Sequence, residues 1–241
     1  MTDRFMLFSG SMVSQMLAGM KWETRRLIKP QPNLISGAWH WSHRRYDNGA
    51  GADYFHTVNV RGIMKAWVRA MPIQVGDRIC VREAWAVDAR FDSYKPCSLP
   101  QTTIFYANEK DELPGRPRPG MFMPRWASRL TLTVVDVSIE QLQEITEAGA
   151  IAEGVVQDRE IVDIRPHPGT GQPMDITEYL FRVPGTHDDL ESGFEYAVDA
   201  YKDLWDRLNA DRGFSWDKNP WVMVVKFQVH HMNINDMPRA A

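Results

Sequence analysis

The chain has 241 residues, 44% hydrophobic and 24% charged, with a net charge of −3; this fits one large globular domain or two small ones with an ordinary core, and the acidic balance argues against duplex DNA as a partner, because duplex binders draw affinity from neutralising phosphates with excess basic charge. Two cysteines, Cys80 and Cys97, without CxxC spacing exclude a disulfide framework and a cysteine-based zinc site. No signal-peptide pattern or membrane-length apolar run occurs, so a cytoplasmic protein without membrane contact is expected.

Residues 5–8 predict a short strand, and Ser9 or Ser11 can cap the helix that follows. Met12, Val13, Met16 and Leu17 form its single apolar stripe, and Gly19 is placed to end it in the left-handed conformation. Residues 22–28 predict a strand, stopped by Pro30 and Pro32. Residues 31–72 show little periodicity and predict a long insertion of the kind usually kept for function. His40 and His43 lie three apart within it, but no carboxylate pattern accompanies them, and no metal is expected. Val75-Gly76-Asp77 is a turn opening a strand over 78–85, with Ile79, Val81 and Glu83 on one face and Cys80, Arg82 and Ala84 on the other. Cys80 is expected to be buried and reduced. Residues 102–107 predict another strand and 109–120, punctuated by proline and glycine, a loop.

Residues 129–137 alternate as a strand. Residues 139–145 predict a helical turn, and Thr146 caps a short helix through Glu153 that Gly154 ends. Residues 155–193 form a second polar insertion. Residues 193–210 predict the clearest helix, with a buried stripe of Phe194, Ala197, Val198, Tyr201, Leu204, Trp205 and Leu208. Residues 221–229 predict a closing strand, against which Trp205, Trp216 and Trp221 would lock the last helix. Residues 230–241 predict a disordered tail. The sum is an α+β chain: one domain over 1–229, a mixed β-barrel of about six strands decorated by short helices, with insertions at about 31–72 and 155–193.

The most informative cluster is Lys21, Thr24, Arg25 and Arg26. Thr24 and Arg26 share a strand face; Lys21 falls in the turn after Gly19, where it can fold back over Thr24. Such a set can bind an anion, orient a nucleobase or activate a hydroxyl; its bland counterpart is a solvated strand start. A threonine hydroxyl needs a base to take its proton, and a lysine serves only if burial and nearby cations lower its pKa by roughly three units. Arg25 and Arg26 are such cations. Glu153, at the unfavourable end of its helix dipole, suits a proton shuttle or is a surface residue. Glu83 and Trp85 line a cavity, or Arg82 and Glu83 form a bracing ion pair. Arg125, Trp126 and Arg129 can clamp a base by stacking, worth about 1–3 kcal/mol, unless Trp126 fills the core.

Gly19-x-Lys21-x-x-Thr24-x-Arg26, then Gly76-Asp77 opening a strand, then a helix from Thr146-Glu147 to Glu153, resembles the ASCH superfamily, whose fold is a PUA-like β-barrel. The longer frame is similar to its phage and prophage branch through Leu7-Phe8-Ser9-Gly10, Val81-Arg82-Glu83-Ala84-Trp85, Met123-Pro124-Arg125-Trp126-Ala127-Ser128-Arg129, Ile151-Ala152-Glu153-Gly154, Leu204-Trp205-Asp206 and Asn219-Pro220-Trp221-Val222. The short motifs are also similar to a bacterial ASCH group that hydrolyses 4-acetylcytidine to cytidine and acetate. That resemblance implies Lys21, Thr24 and Glu153 as catalytic residues and needs no cofactor. This chain departs from the group in being more than twice as long and in carrying Trp22 and Glu23 within the motif. The resulting expectation is a nucleoside-directed amidohydrolase with Arg25, Arg26, Glu83, Trp85, Arg125 and Trp126 as substrate contacts. The alternatives are a module that binds a modified base or single-stranded RNA without catalysis, and a ribonuclease, for which no credible histidine pair or metal site is present.

Overall fold

The computed structural model describes residues 2–35, 38–45, 52–57, 72–106, 113–166, 168–170, 172–184 and 193–238; side chains of 33–35, 38–45, 52–57, 159–163, 166 and 173–178 lie outside that description. In chain order the elements are β1 (Asp3–Leu7), α1 (Gly10–Leu17), β2 (Glu23–Leu27), β3 (Asn33–Ile35), β4 (Ala38–Arg45), β5 (Ala52–Thr57), β6 (Arg78–Arg82), β7 (Trp85–Ala86), β8 (Phe105–Tyr106), β9 (Thr131–Gln141), α2 (Glu147–Ala152), β10 (Val156–Pro166), β11 (Pro173–Arg182), α3 (Ala197–Asn209) and β12 (Trp221–His230). The architecture is mixed α+β, built mainly from sheet.

The central sheet has five strands in the order β1-β6-β9-β12-β2. β1 pairs with β6 in parallel and the other ladders are antiparallel. The expected barrel of about six strands is not closed by this pairing, because β1 and β2 remain the two ends of the ladder. Those ends are bridged by a side chain instead of a ladder: Arg26 Nη2 donates to the Leu7 carbonyl at 2.8 Å, with the guanidinium over the Phe8 ring. One apolar core fills the space between α1 and the sheet, through Val13, Met16, Ile79, Val81, Leu130, Leu132, Val225 and Phe227. A second joins α2, α3 and β12 through Ala150, Tyr201, Leu204, Trp205, Trp216 and Val222. A third, small one surrounds Trp85. Cys80 is buried and free, and Cys97 is exposed and free.

Local chemistry sets the element ends. Ser9 Oγ accepts from the Met12 amide at the start of α1, and Gly19 follows it at φ 72°, a conformation that favours glycine. Thr146 caps α2 and Gly154 leaves it at φ 100°. α3 begins at Ala197, later than the apolar stripe predicts, because the Glu147 carboxylate accepts the Ala197 and Val198 amides at 2.7 and 3.2 Å, while Phe194 pairs with Phe181 in a bridge. β9 runs on to Gln141, opposite Trp221, so the predicted turn is confined to a single 3-10 turn at Leu142–Glu144.

Three further expectations change. Within 31–72 the described backbone forms the antiparallel sheet β3-β4-β5; within 155–193, β10 and β11 form a long hairpin. The residues after His230 are docked and not a free tail. Thr131 Oγ1 donates to the Met232 carbonyl, Asn233 Nδ2 donates to the Arg125 and Ser128 carbonyls, and Arg78 Nη1 donates to the Met237 carbonyl; Ile234 is 1% exposed. Their anchors lie 101 to 159 residues upstream, where local polarity gives no hint of them. No described helix is long and apolar enough to cross a membrane.

The Gly76-Asp77 turn carries a pH-dependent tie. Burial pushes the Asp77 carboxyl up, but hydrogen bonds from Arg4 Nε and the Thr2 and Gln74 amides outweigh it and hold the group below its ordinary value of 3.8. The folded chain therefore binds this proton less readily than the unfolded one, so the contribution is present above pH 3.8 and is lost as pH falls through the lowered value. In urea titrations at stepped acid pH, Asp77→Asn should flatten the acid limb of the midpoint; an unchanged limb refutes the assignment.

Candidate functional site

The site starts at the reversal after α1. Gly19 turns the chain, the Met20 amide donates to the Gln15 carbonyl at 2.8 Å, and the Trp22 amide donates to the Ala152 carbonyl at 3.1 Å. Lys21, between them, points inward and is wholly buried. Its Nζ donates to Glu153 Oε2 at 2.5 Å and to the Glu153 carbonyl at 2.6 Å. Glu153 caps the C-terminus of α2. Its other oxygen accepts the main-chain amide of Arg25 and, at 3.3 Å, the Tyr201 hydroxyl. One carboxylate thus ties together the turn before β2, β2 itself and α3.

Beside it lies a cavity of about 320 Å³, lined by Thr24, Arg25, Arg26, Glu153 and Tyr201, by the apolar Met12, Leu204, Trp205 and Leu208, and by Lys29 and Arg212. Lys21 is not among the lining groups; it sits behind Glu153. The Thr24 hydroxyl makes no hydrogen bond among the described residues. Arg25 lines the cavity with its guanidinium already engaged, Nη1 lying 2.7 Å from Glu23 Oε1 and Nε donating to Glu140 Oε1 at 2.7 Å.

Burial dominates the electrostatics. It pulls the Lys21 ammonium below its usual range; the Glu153 carboxylate opposes this, and the Arg26 and Arg25 charges add to it. Burial raises the Glu23 carboxyl and, helped by Glu153, sets the Tyr201 phenol well above its ordinary value. The arrangement is a lysine and a carboxylate in one short contact, behind a cavity wall that also presents the Thr24 hydroxyl and the Arg26 guanidinium.

Lys21, Thr24, Arg25, Arg26 and Glu153 therefore come together, but the other sequence candidates do not join them. Glu83 is buried in a two-pronged pair with Arg129, whose Nε and Nη2 each donate at 2.9 Å, so the expected Arg82–Glu83 pair is replaced; Arg82 donates to the Met121 carbonyl at 3.0 Å and lies over the Phe5 ring. Trp85 is wholly buried in the third core, and Trp126 packs against that core. Arg125 binds Asp3 at 2.5 Å and Asn235 at 2.7 Å. None of Glu83, Trp85, Arg125 and Trp126 lines the cavity. The side chains of His40 and His43 lie outside the described residues.

Sequence reading missed Tyr201 and Glu140 as participants. Tyr201 was absorbed into the apolar stripe of α3, although a buried phenol needs a partner for its hydroxyl, and that requirement was the available signal. Glu140 is hidden in the sequence because the alternation over 129–137 stops short of it, whereas β9 runs on to Gln141. Among the described residues no group of three or more metal-binding side chains is gathered. No family model, curated protein or solved structure matches the chain.

Proposed function

We propose that the chain is a nucleoside-directed amidohydrolase of the ASCH, PUA-like kind, removing an acyl group from the exocyclic amine of a 4-acetylcytidine-type ligand. The observation that carries this reading is the direct contact between buried Lys21 and Glu153 at 2.5 Å, beside a cavity that Thr24 and Glu153 line together. In the proposed course the Thr24 hydroxyl, or a water it holds, adds to the acyl carbon. Lys21, whose ammonium burial pulls below its usual range, is the proposed base; it is reached from the cavity through the Glu153 carboxylate that stands between them, and Glu153 delivers the proton to the departing amine as the C–N bond breaks. A threonine ester, where one forms, is then hydrolysed by water along the same proton path, releasing acetate. Arg26 is the remaining stabiliser for the oxyanion, because the Arg25 amide is held by Glu153 and its guanidinium by Glu23 and Glu140. The side-chain bridge between the sheet ends supports a barrel-like curl of the PUA type.

The test is deacylation of a panel of acylated nucleosides. Wild type should turn over an acylcytidine, and Thr24→Ala should lose at least about 10²-fold in kcat while still binding cytidine. Turnover that survives in Thr24→Ala removes Thr24 from the chemistry. The second reading, a nucleobase-binding module without catalysis, is favoured by a Thr24 hydroxyl that makes no hydrogen bond among the described residues; binding of cytidine by wild type with no deacylation of any panel member would select it.

A further inference from the structure

The charges around the cavity do not balance evenly. Its inner end is neutralised: Glu153 faces Lys21, and Arg25 faces Glu23 and Glu140. Its outer end is not. Arg26, Lys29 and Arg212 line the same opening, and among the described residues none of the three contacts a carboxylate. Arg26 uses one of its five donors, on the Leu7 carbonyl. Lys29 and Arg212 are exposed, with the Lys29 ammonium 5.7 Å from the centre of the Phe214 ring. Burial lowers the Arg26 guanidinium from its ordinary value and the Glu153 charge opposes this, so the lining cations left without a compensating carboxylate among the described residues are the exposed Lys29 and Arg212. In a chain whose net charge is −3, an anion between them would relieve their repulsion. Against the cationic rim stands an apolar wall of Met12, Leu204, Trp205 and Leu208.

We propose that this cavity takes its ligand as a nucleoside monophosphate, with the phosphate held by Lys29 and Arg212 and the base against the Leu204–Trp205 wall. The inference rests on reading the cavity as a nucleoside site and adds the phosphate to it. A phosphate monoester carries close to two negative charges near neutral pH, which suits two exposed cations better than a neutral sugar does. A volume of about 320 Å³ sits at the small-ligand end of the usual range, which fits one nucleotide and not a strand.

Isothermal titration of cytidine, cytidine 5′-monophosphate, inorganic phosphate and a cytidine dinucleotide into wild type, Lys29→Met, Arg212→Met and the double variant tests it. The monophosphate should bind wild type about tenfold more tightly than cytidine; the double variant should abolish that gap and leave cytidine affinity unchanged. Inorganic phosphate should compete with the monophosphate. Equal affinity for nucleoside and nucleotide, no binding of either, a double variant that weakens both alike, or a dinucleotide that outcompetes the monophosphate would each overturn the proposal. Because these readouts need no turnover, a protein that binds the monophosphate without deacylating anything keeps the phosphate site and loses only the hydrolase reading. A protein that deacylates but ignores the phosphate does the reverse.

Discussion

Replacing Lys21 by methionine should destabilise the protein by about 3–5 kcal/mol, because it leaves the Glu153 carboxylate buried without its cation. Lys21 is wholly buried and Glu153 is 5% exposed, so solvent cannot take over the lost contact. The loss should appear as a lowered urea midpoint with an unchanged slope. The double variant Lys21→Met/Glu153→Gln should recover part of it, since a neutral amide removes the stranded charge and keeps the bonding to Arg25 and Tyr201. A single-variant loss under about 1 kcal/mol would mean that the pair behaves like an exposed one. The pH dependence has a definite sign. The folded ammonium binds its proton less tightly than the unfolded one, so stability should rise as pH climbs toward the ordinary lysine value of 10.5. Lys21→Met should lack that rise.

Trp85→Ala should cost a further large amount by a different route, about 3–5 kcal/mol, the usual range for emptying a buried aromatic site. Trp85 is the largest wholly buried side chain of the described residues; Val87, Leu99, Met123 and Ala127 surround it, and the Arg118 guanidinium lies 5.2 Å from its ring centre. Cytidine binding by the folded fraction should be unchanged, and Trp85→Phe should recover most of the stability. A variant that kept its stability but lost cytidine affinity would return Trp85 to the list of ligand contacts, where sequence reasoning had put it.

The contrast between Lys21 and Trp85 shows what was legible. The residues around Lys21 are constrained locally: Gly19 reverses the chain, Thr24 and Arg26 alternate on a strand, and Thr146 starts a helix short enough to fix where Glu153 ends it. Spacing of this kind survives in a sequence, and the resemblance it suggested linked Glu153 to Lys21 across 132 residues. Trp85 and Glu83 occupy an equally suggestive segment, but their partners, Arg129 for Glu83 and Met123 and Ala127 for Trp85, are chosen by how the third core closes. The open ladder was illegible for a related reason: alternation announces a strand and says nothing of which two strands become its ends. The residues after His230 dock largely through main-chain carbonyls and the buried Ile234, and their anchors, Arg78, Arg125 and Thr131, are visible only in three dimensions.

β2 is an end strand, and end strands expose main-chain donors on which another chain can template. The Arg25 amide is such a donor, and Glu153 occupies it. The Trp22 amide just before the strand is likewise taken by the Ala152 carbonyl. The C-terminal turn of α2 therefore acts as a guard along this border, shielding it from strand addition by a second copy. The carboxylate proposed for proton transfer therefore also covers a main-chain donor on an end strand, and Glu153→Ala would bare that donor.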